Sequence, residues 1–264
     1  MRGARDRFGS KRRWAALIFA VVCLPGCFDE AEKKEAPELY MPGSPITATP
    51  GKRYVIRDGH GANVAKWRVR SESTKIYGRD HAPLARLKRV KKTSEKGGGV
   101  TEIVATSLDG TRKVAATLSG KGKTSEVIPI GKLFRLERRE DRWLITDRQE
   151  LILGVITDVS PPGERGSILE VRESYALQAP AVMRAERSLD KGRGGISGQV
   201  RLLESKGEGE DKSEEVTLVV DRPLSPAILI AYAIEHEGLD PMTRAVLASA
   251  LEYAIEQAPA APGS

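Results

Sequence analysis

Few residues in this chain of 264 have the type and spacing that chemistry demands. Its histidines are His60, His81 and His236, and the first two stand near Asp58 and Asp80. Those four could surround a metal ion, but they match no ligand spacing of a known site, and aspartates in this setting are ordinary turn formers. Lys121, Gly122, Lys123 and Thr124 resemble the end of a phosphate-binding loop. The glycine that such a loop needs five positions before Gly122 is Thr117, so a lysine-rich turn is the better reading. Ser197 lacks the spacing of a nucleophile elbow, and the only histidine after it is His236, between Glu235 and Glu237 at what reads as a solvated helix end. These residues point to no catalytic centre, no metal and no cofactor, and the expectation is a protein that is not an enzyme.

Two cysteines are present, Cys23 and Cys27. Cys23 lies in the apolar run Trp14 to Leu24, which follows a stretch rich in arginine ending at Arg13 and precedes Pro25, Gly26 and Cys27. Basic, apolar, then small is the order of a secretory leader, and the run is shorter than the ~20 residues a membrane-spanning helix requires. The leader also distorts the charge of the chain. Six of the 43 basic residues but only one of the 36 acidic ones lie in the first 26 positions, so the formal +7 shrinks to near neutrality once they are removed. A nucleic-acid partner is not expected of such a chain.

Leu24, Pro25, Gly26 and Cys27 resemble the lipobox of bacterial lipoproteins. The resemblance implies cleavage before Cys27 and lipid on its thiol, with Gly26 as the small residue that admits the peptidase. Two or more acyl chains anchor stably where one is marginal. Phe28 stands where lipoproteins kept in the inner membrane often carry aspartate, which points to the outer membrane, facing the periplasm. Residues 1–26 are then the signal peptide and 27–52 a tether, broken by Pro37, Pro42, Pro45 and Pro50. A folded domain would occupy 53–257, with a disordered tail at 258–264.

From Arg53 onward, short runs of Val, Ile, Leu and Thr alternate with turn signals such as Asp58-Gly59, Asp109-Gly110 and Glu140-Asp141. The pattern predicts twelve strands, at 53–57, 64–70, 74–78, 84–90, 101–107, 112–118, 132–139, 142–147, 150–157, 167–175, 196–203 and 216–220. Residues 176–194 carry no strand pattern. A loose echo, Tyr54 to Asp58, Ile76 to Asp80 and Trp143 to Asp147, argues for a recurrent antiparallel hairpin. Pro226 to Ile234 is apolar around its whole circumference and must be buried on every side. Gly238 is expected to end that helix. A second helix from Asp240 to about Glu256 reads as amphipathic: Val246, Leu247, Ala250, Tyr253 and Ala254 form an apolar face, and Arg244, Glu252 and Glu256 lie elsewhere. It is expected to pack outside.

The fold class is therefore mainly β, a hairpin meander closing into a roughly twelve-stranded barrel around a C-terminal hydrophobic helix, plus one amphipathic helix. Twelve strands, strand-Asp-turn-strand echoes and a hydrophobic helix after Val219, Val220 and Asp221 resemble the tubby-like superfamily, its LURP-one-related and phospholipid scramblase branches above all. That resemblance implies a barrel closed around Pro226 to Glu235 and, at most, contact with phospholipid.

The densest basic cluster outside the leader is Arg86, Lys88, Arg89, Lys91 and Lys92. It is a candidate contact for anionic lipid heads or cell-wall phosphates. An exposed hairpin edge protected by charge explains it more plainly, because alternation puts these residues on both faces of a strand. The expected protein is a lipid-anchored binding or structural module of the cell envelope, its partners the membrane, anionic phospholipid or another envelope protein. The alternative is an envelope hydrolase, which would need a pocket lined by groups of perturbed acidity.

Overall fold

Apolar and polar residues alternate, one facing in and one facing out, through most of fourteen strands and not twelve. The structure is a computed structural model that describes residues 51–70, 73–93, 99–119, 127–176, 178–192, 195–206 and 213–257. The chain divides into Met1–Ala36 and Pro37–Ser264, and the described residues all belong to the second unit. The strands are β1 (Arg53–Asp58), β2 (Asn63–Val69), β3 (Thr74–Tyr77), β4 (Pro83–Thr93), β5 (Gly99–Ser107), β6 (Arg112–Ser119), β7 (Val127–Ile130), β8 (Phe134–Arg139), β9 (Arg142–Asp147), β10 (Ile152–Asp158), β11 (Ile168–Arg172), β12 (Ala181–Gly192), β13 (Gly195–Lys206) and β14 (Ser213–Val220). Each pairs antiparallel with its neighbour in sequence, and β14 closes on β1 through Arg57 opposite Val219 and Asp58 opposite Leu218.

The two additional strands have identifiable reasons for escaping the sequence pattern. β7 is short and contains Pro129, a residue that ordinarily demotes a run to non-strand. β12 falls within 176–194, where charge hides the alternation: its inward positions run Met183, Ala185 and then Arg187.

Four hairpins share one turn. Asp58 N–H donates to Ala62 O and Gly61 N–H to Asp58 O, and the same two bonds recur from Gly78, Ser107 and Asp147. An aspartate Oδ1 ties each loop by accepting backbone N–H groups: Asp58 from His60 and Ala62, Asp80 from Ala82, Asp109 from Thr111, Asp147 from Gln149 and Leu151. The fourth residue must be left-handed, which suits Gly61 and Gly110 and is imposed on His81 (φ 63°) and Glu150 (φ 66°). All four turns follow odd-numbered strands, so they crowd one end of the barrel, here the turn end. The other is the loop end.

The lumen is filled by two helices, α1 (Pro226–Ala233) and α2 (Pro241–Gln257). Ala227 to Ala231 have no exposed surface. α1 enters from β14 at the loop end and stops at Ala233, before Gly238. His236, beyond it, meets the Phe134 ring edge-on at 5.2 Å and stands 3.7 Å from Asp147, both at the turn end. α2 runs back, and a Cβ on Gly166 in the β10–β11 loop would lie 3.5 Å from Ile255. The pair is an antiparallel helical hairpin.

The expectation that α2 packs outside is overturned, since every residue from Ala245 to Ile255 is buried, Glu252 included. Fourteen strands enclose a wider lumen than twelve, because barrel diameter grows with strand number, and one helix would leave it underfilled. The described core residues run from Tyr54 to Ile255, and the strand pairings from Arg53 to Val220.

Candidate functional site

Polar groups inside the lumen are matched between wall and helices. Trp67 Nε1–H donates to Tyr232 Oη at 3.0 Å, and burial pushes the Tyr232 hydroxyl far above its ordinary acidity range. Arg244 donates through Nη1 to the carbonyls of Ala231, Tyr232 and Ile234 and through Nε to that of Leu239. This supplies the positive charge that the last turn of α1 lacks.

The deepest ion pair joins β4 to α2. Arg89 Nη2 donates to Glu252 Oε2 at 2.9 Å and to Ser249 O, and Nε donates to Ser249 Oγ at 3.0 Å. Burial raises the Glu252 carboxyl from 4.5 to about 8; Arg89 and Arg187 pull it down, and Glu256 pushes it further up. Glu252 Oε1 has no hydrogen-bond partner. Arg187 projects into the same region from β12, its acidity increased by burial against the attraction of Glu164, Glu256, Asp158 and Glu252.

A shallow cavity of about 140 Å³, lined by Ser107, Asp109, Thr111, Lys113 and Met242, lies at the turn end. Hydrogen bonds from Ser107 and Thr111 hold the Asp109 carboxyl below its ordinary range. Glu252 is near the opposite end of α2, so this cavity and the most perturbed acid are separated by most of the length of the lumen.

The basic cluster on β4 is split by the barrel wall. Arg89 is 4% exposed and cannot contact an anionic surface, which corrects its place among the candidate residues. Two positions after Leu87, it shares that residue's inward face, where Glu252 holds it. Arg86, Lys91 and Lys92 are exposed and Lys88 is half-buried. Lys92 pairs with Glu102 at 2.7 Å. The edge-protection reading also fails, because β4 is hydrogen-bonded to β3 and β5 and the closed barrel has no edge there.

Arg86 has a different company from the one its sequence neighbours suggest. Register places Arg53 opposite Arg68, Arg68 opposite Lys75, and Lys75 opposite Arg86. Directly opposed residues share a face, so one row of cations crosses β1 to β4 on the outside. Arg53, Arg68 and Lys75 escaped sequence reasoning because only the strand register brings them together. In the next row Lys66 lies between Val55 and Tyr77, its Nζ 5.2 Å from the Tyr77 ring centre.

Of the other residues singled out from sequence, Asp58, Asp80 and His81 serve their turns, with His81 Nε2 3.2 Å from Asn63 Nδ2, and His60 lies in the first of those turns. No group of three His, Cys, Asp or Glu is arranged to hold a metal among the described residues. Ser197 pairs with Asp190 in the β12–β13 hairpin. Cys27 and the segment from Lys121 to Thr124 lie outside the described residues. No described helix is long and apolar enough to cross a membrane. The barrel carries its apolar side chains inward and charge outward, the reverse of a transmembrane barrel.

Compared with protein-family models, curated proteins and solved structures, the chain matches none. The observed architecture, fourteen strands around two helices, differs in both counts from the twelve strands around one helix that a tubby-like fold implies.

Proposed function

We propose that this is a lipid-anchored protein of the cell envelope, held by acyl chains on Cys27, whose barrel acts as a binding or structural module and not as an enzyme. The observation that carries the reading is the filled lumen. Barrels that work from within keep a cavity for ligand or a channel, whereas here α1 and α2 occupy the interior and the buried Arg89 is paired with Glu252. Work is then left to the outer wall and the loops. The leader and the sequence Leu24 to Cys27 support the anchor, and Phe28 supports the outer membrane, facing the periplasm, as its place.

The test is metabolic labelling with a clickable fatty acid of cells producing the chain or its Cys27→Ala variant. Label is expected in the chain and absent from the variant, which should also accumulate uncleaved. Equal labelling of both would overturn the anchor.

A further inference from the structure

The row Arg53, Arg68, Lys75 and Arg86 is an electrostatic cost that nothing in the fold requires. Strands lie ~4.8 Å apart, so the four cations are strung across about 14 Å of sheet, each opposed to a like charge. No ion pair joins any of the four to a carboxylate among the described residues. β2, β3 and β4 contain no Asp or Glu at all, and the one acid of β1, Asp58, is engaged by its turn. The row is flanked by cations that do have partners, Arg57 on Asp221 and Lys92 on Glu102. Arg68 and Lys75 are half-buried, as expected of stems lying on the sheet with their charged heads in solvent.

Several other outer strands carry an acid beside a cation. Glu137 pairs with Arg139 along β8, Glu170 with Arg172 along β11, and Arg184 with Glu186 along β12. β6 and β7 also contain no Asp or Glu, so what sets β1–β4 apart is the register that opposes four cations in one row. Closure of the barrel removes edge protection as its reason.

We infer that the outer face of β1–β4 is a contact surface for anionic phospholipid headgroups, in the bilayer to which the chain is tethered. Charge complementarity points to an anionic partner, and three features favour a bilayer. The cations are spread over a sheet face and are not gathered into a pocket. Val55 and Tyr77 sit among them on the same face, the mixture of cation, aromatic and aliphatic groups that suits a headgroup layer. Arg53, the first member of the row, is also the first residue of β1, immediately after the segment that leads from Cys27. The inference rests on the proposed anchor for its identification of the bilayer: lipid on Cys27 would hold the face at high effective concentration over that surface, where weak electrostatic contacts suffice.

The experiment uses the chain from residue 27 onward with Cys27→Ser, which retains every strand and core residue but carries no lipid, so its failure would leave the anchor untouched. Co-sedimentation is measured with vesicles of phosphatidylcholine alone and mixed with phosphatidylglycerol, at low and moderate salt. The expected result is binding to the mixed vesicles only, weakened by salt within the reach of Debye screening. The variant Arg53→Gln, Arg68→Gln, Lys75→Gln, Arg86→Gln should bind on the order of a thousandfold more weakly. A variant losing the same charge elsewhere, Arg135→Gln, Arg139→Gln, Arg184→Gln, Arg201→Gln, should change little.

A measurement on the unmutated row guards against misfolding of these variants. Mixed vesicles should protect Lys75 from acetylation and leave the turn residue Lys132 reactive. Absence of binding to mixed vesicles, equal loss in both variants, or unprotected Lys75 would each overturn the inference. So would binding to soluble polyphosphate without binding to vesicles.

Discussion

Arg89 and Arg86 lie on the same strand and face opposite fates. Arg89 points into the lumen, where it is almost wholly buried and ion-paired with Glu252. Arg86 points outward beside Lys75, and no ion pair joins it to a carboxylate among the described residues. A buried charge must be matched or the fold fails, because desolvation leaves several kcal/mol to be offset. An exposed charge can remain unmatched at small cost, since water and salt screen it. Interior charge therefore reports what the fold needs, and unbalanced exterior charge reports what the fold merely tolerates. A run of the second kind across four strands is where function should be sought.

The largest expected effect comes from breaking the interior pair. Arg89→Met leaves Glu252 buried without its cation and should cost about 3–5 kcal/mol in urea unfolding at alkaline pH, the range for removing one partner of a buried ion pair. The loss should shrink toward acid pH, where Glu252 takes up a proton. Replacing both partners, Arg89→Met with Glu252→Leu, should recover most of the stability, as apolar replacements of buried pairs often do. If the double variant were no more stable than Arg89→Met, the cost would lie in packing and not in the stranded carboxylate.

A smaller effect follows from the Glu252 carboxyl itself. Its acidity in the folded chain is shifted up, to about 8, from 4.5. A group raised on folding contributes its full stability below the unfolded value and loses it as pH climbs through the folded one. Melting temperature should therefore decline between roughly pH 5 and pH 8, and Glu252→Gln should flatten that decline while leaving acid-side stability intact. A wild-type profile without slope over this range would place the ionised carboxylate in the core.

The chemistry of the turns and the buried character of α1 were legible in sequence, and both have local causes. Asp58 and Asp147 open the same five-residue turn, and Asp80 ties it from a later position, so the echo between them was real but shifted in one copy. Eight apolar residues after Ser225 left α1 nowhere to go but inside. α2 was misplaced because Arg244, Glu252 and Glu256 read as a solvent face. Their partners, α1's carbonyl groups for Arg244 and the inward side chains Arg89 and Arg187 for the acids, are supplied by distant elements. β12 was hidden for the same reason, since Arg187 occupies an inward position. The basic row was only partly visible: Arg86 stood in a conspicuous cluster, whereas Arg53, Arg68 and Lys75 join it only through strand register.

The smallest expected effect bears most directly on the claim that the row serves something other than the fold. Arg68→Gln with Lys75→Gln removes two opposed like charges from the centre of the row. Urea unfolding at low salt should show the variant more stable than the native chain by a few tenths to about 1 kcal/mol, with the gain fading as salt is added. An unchanged or lowered stability at low salt would contradict the account, since the row would then belong to the architecture of the barrel and not to a partner outside it.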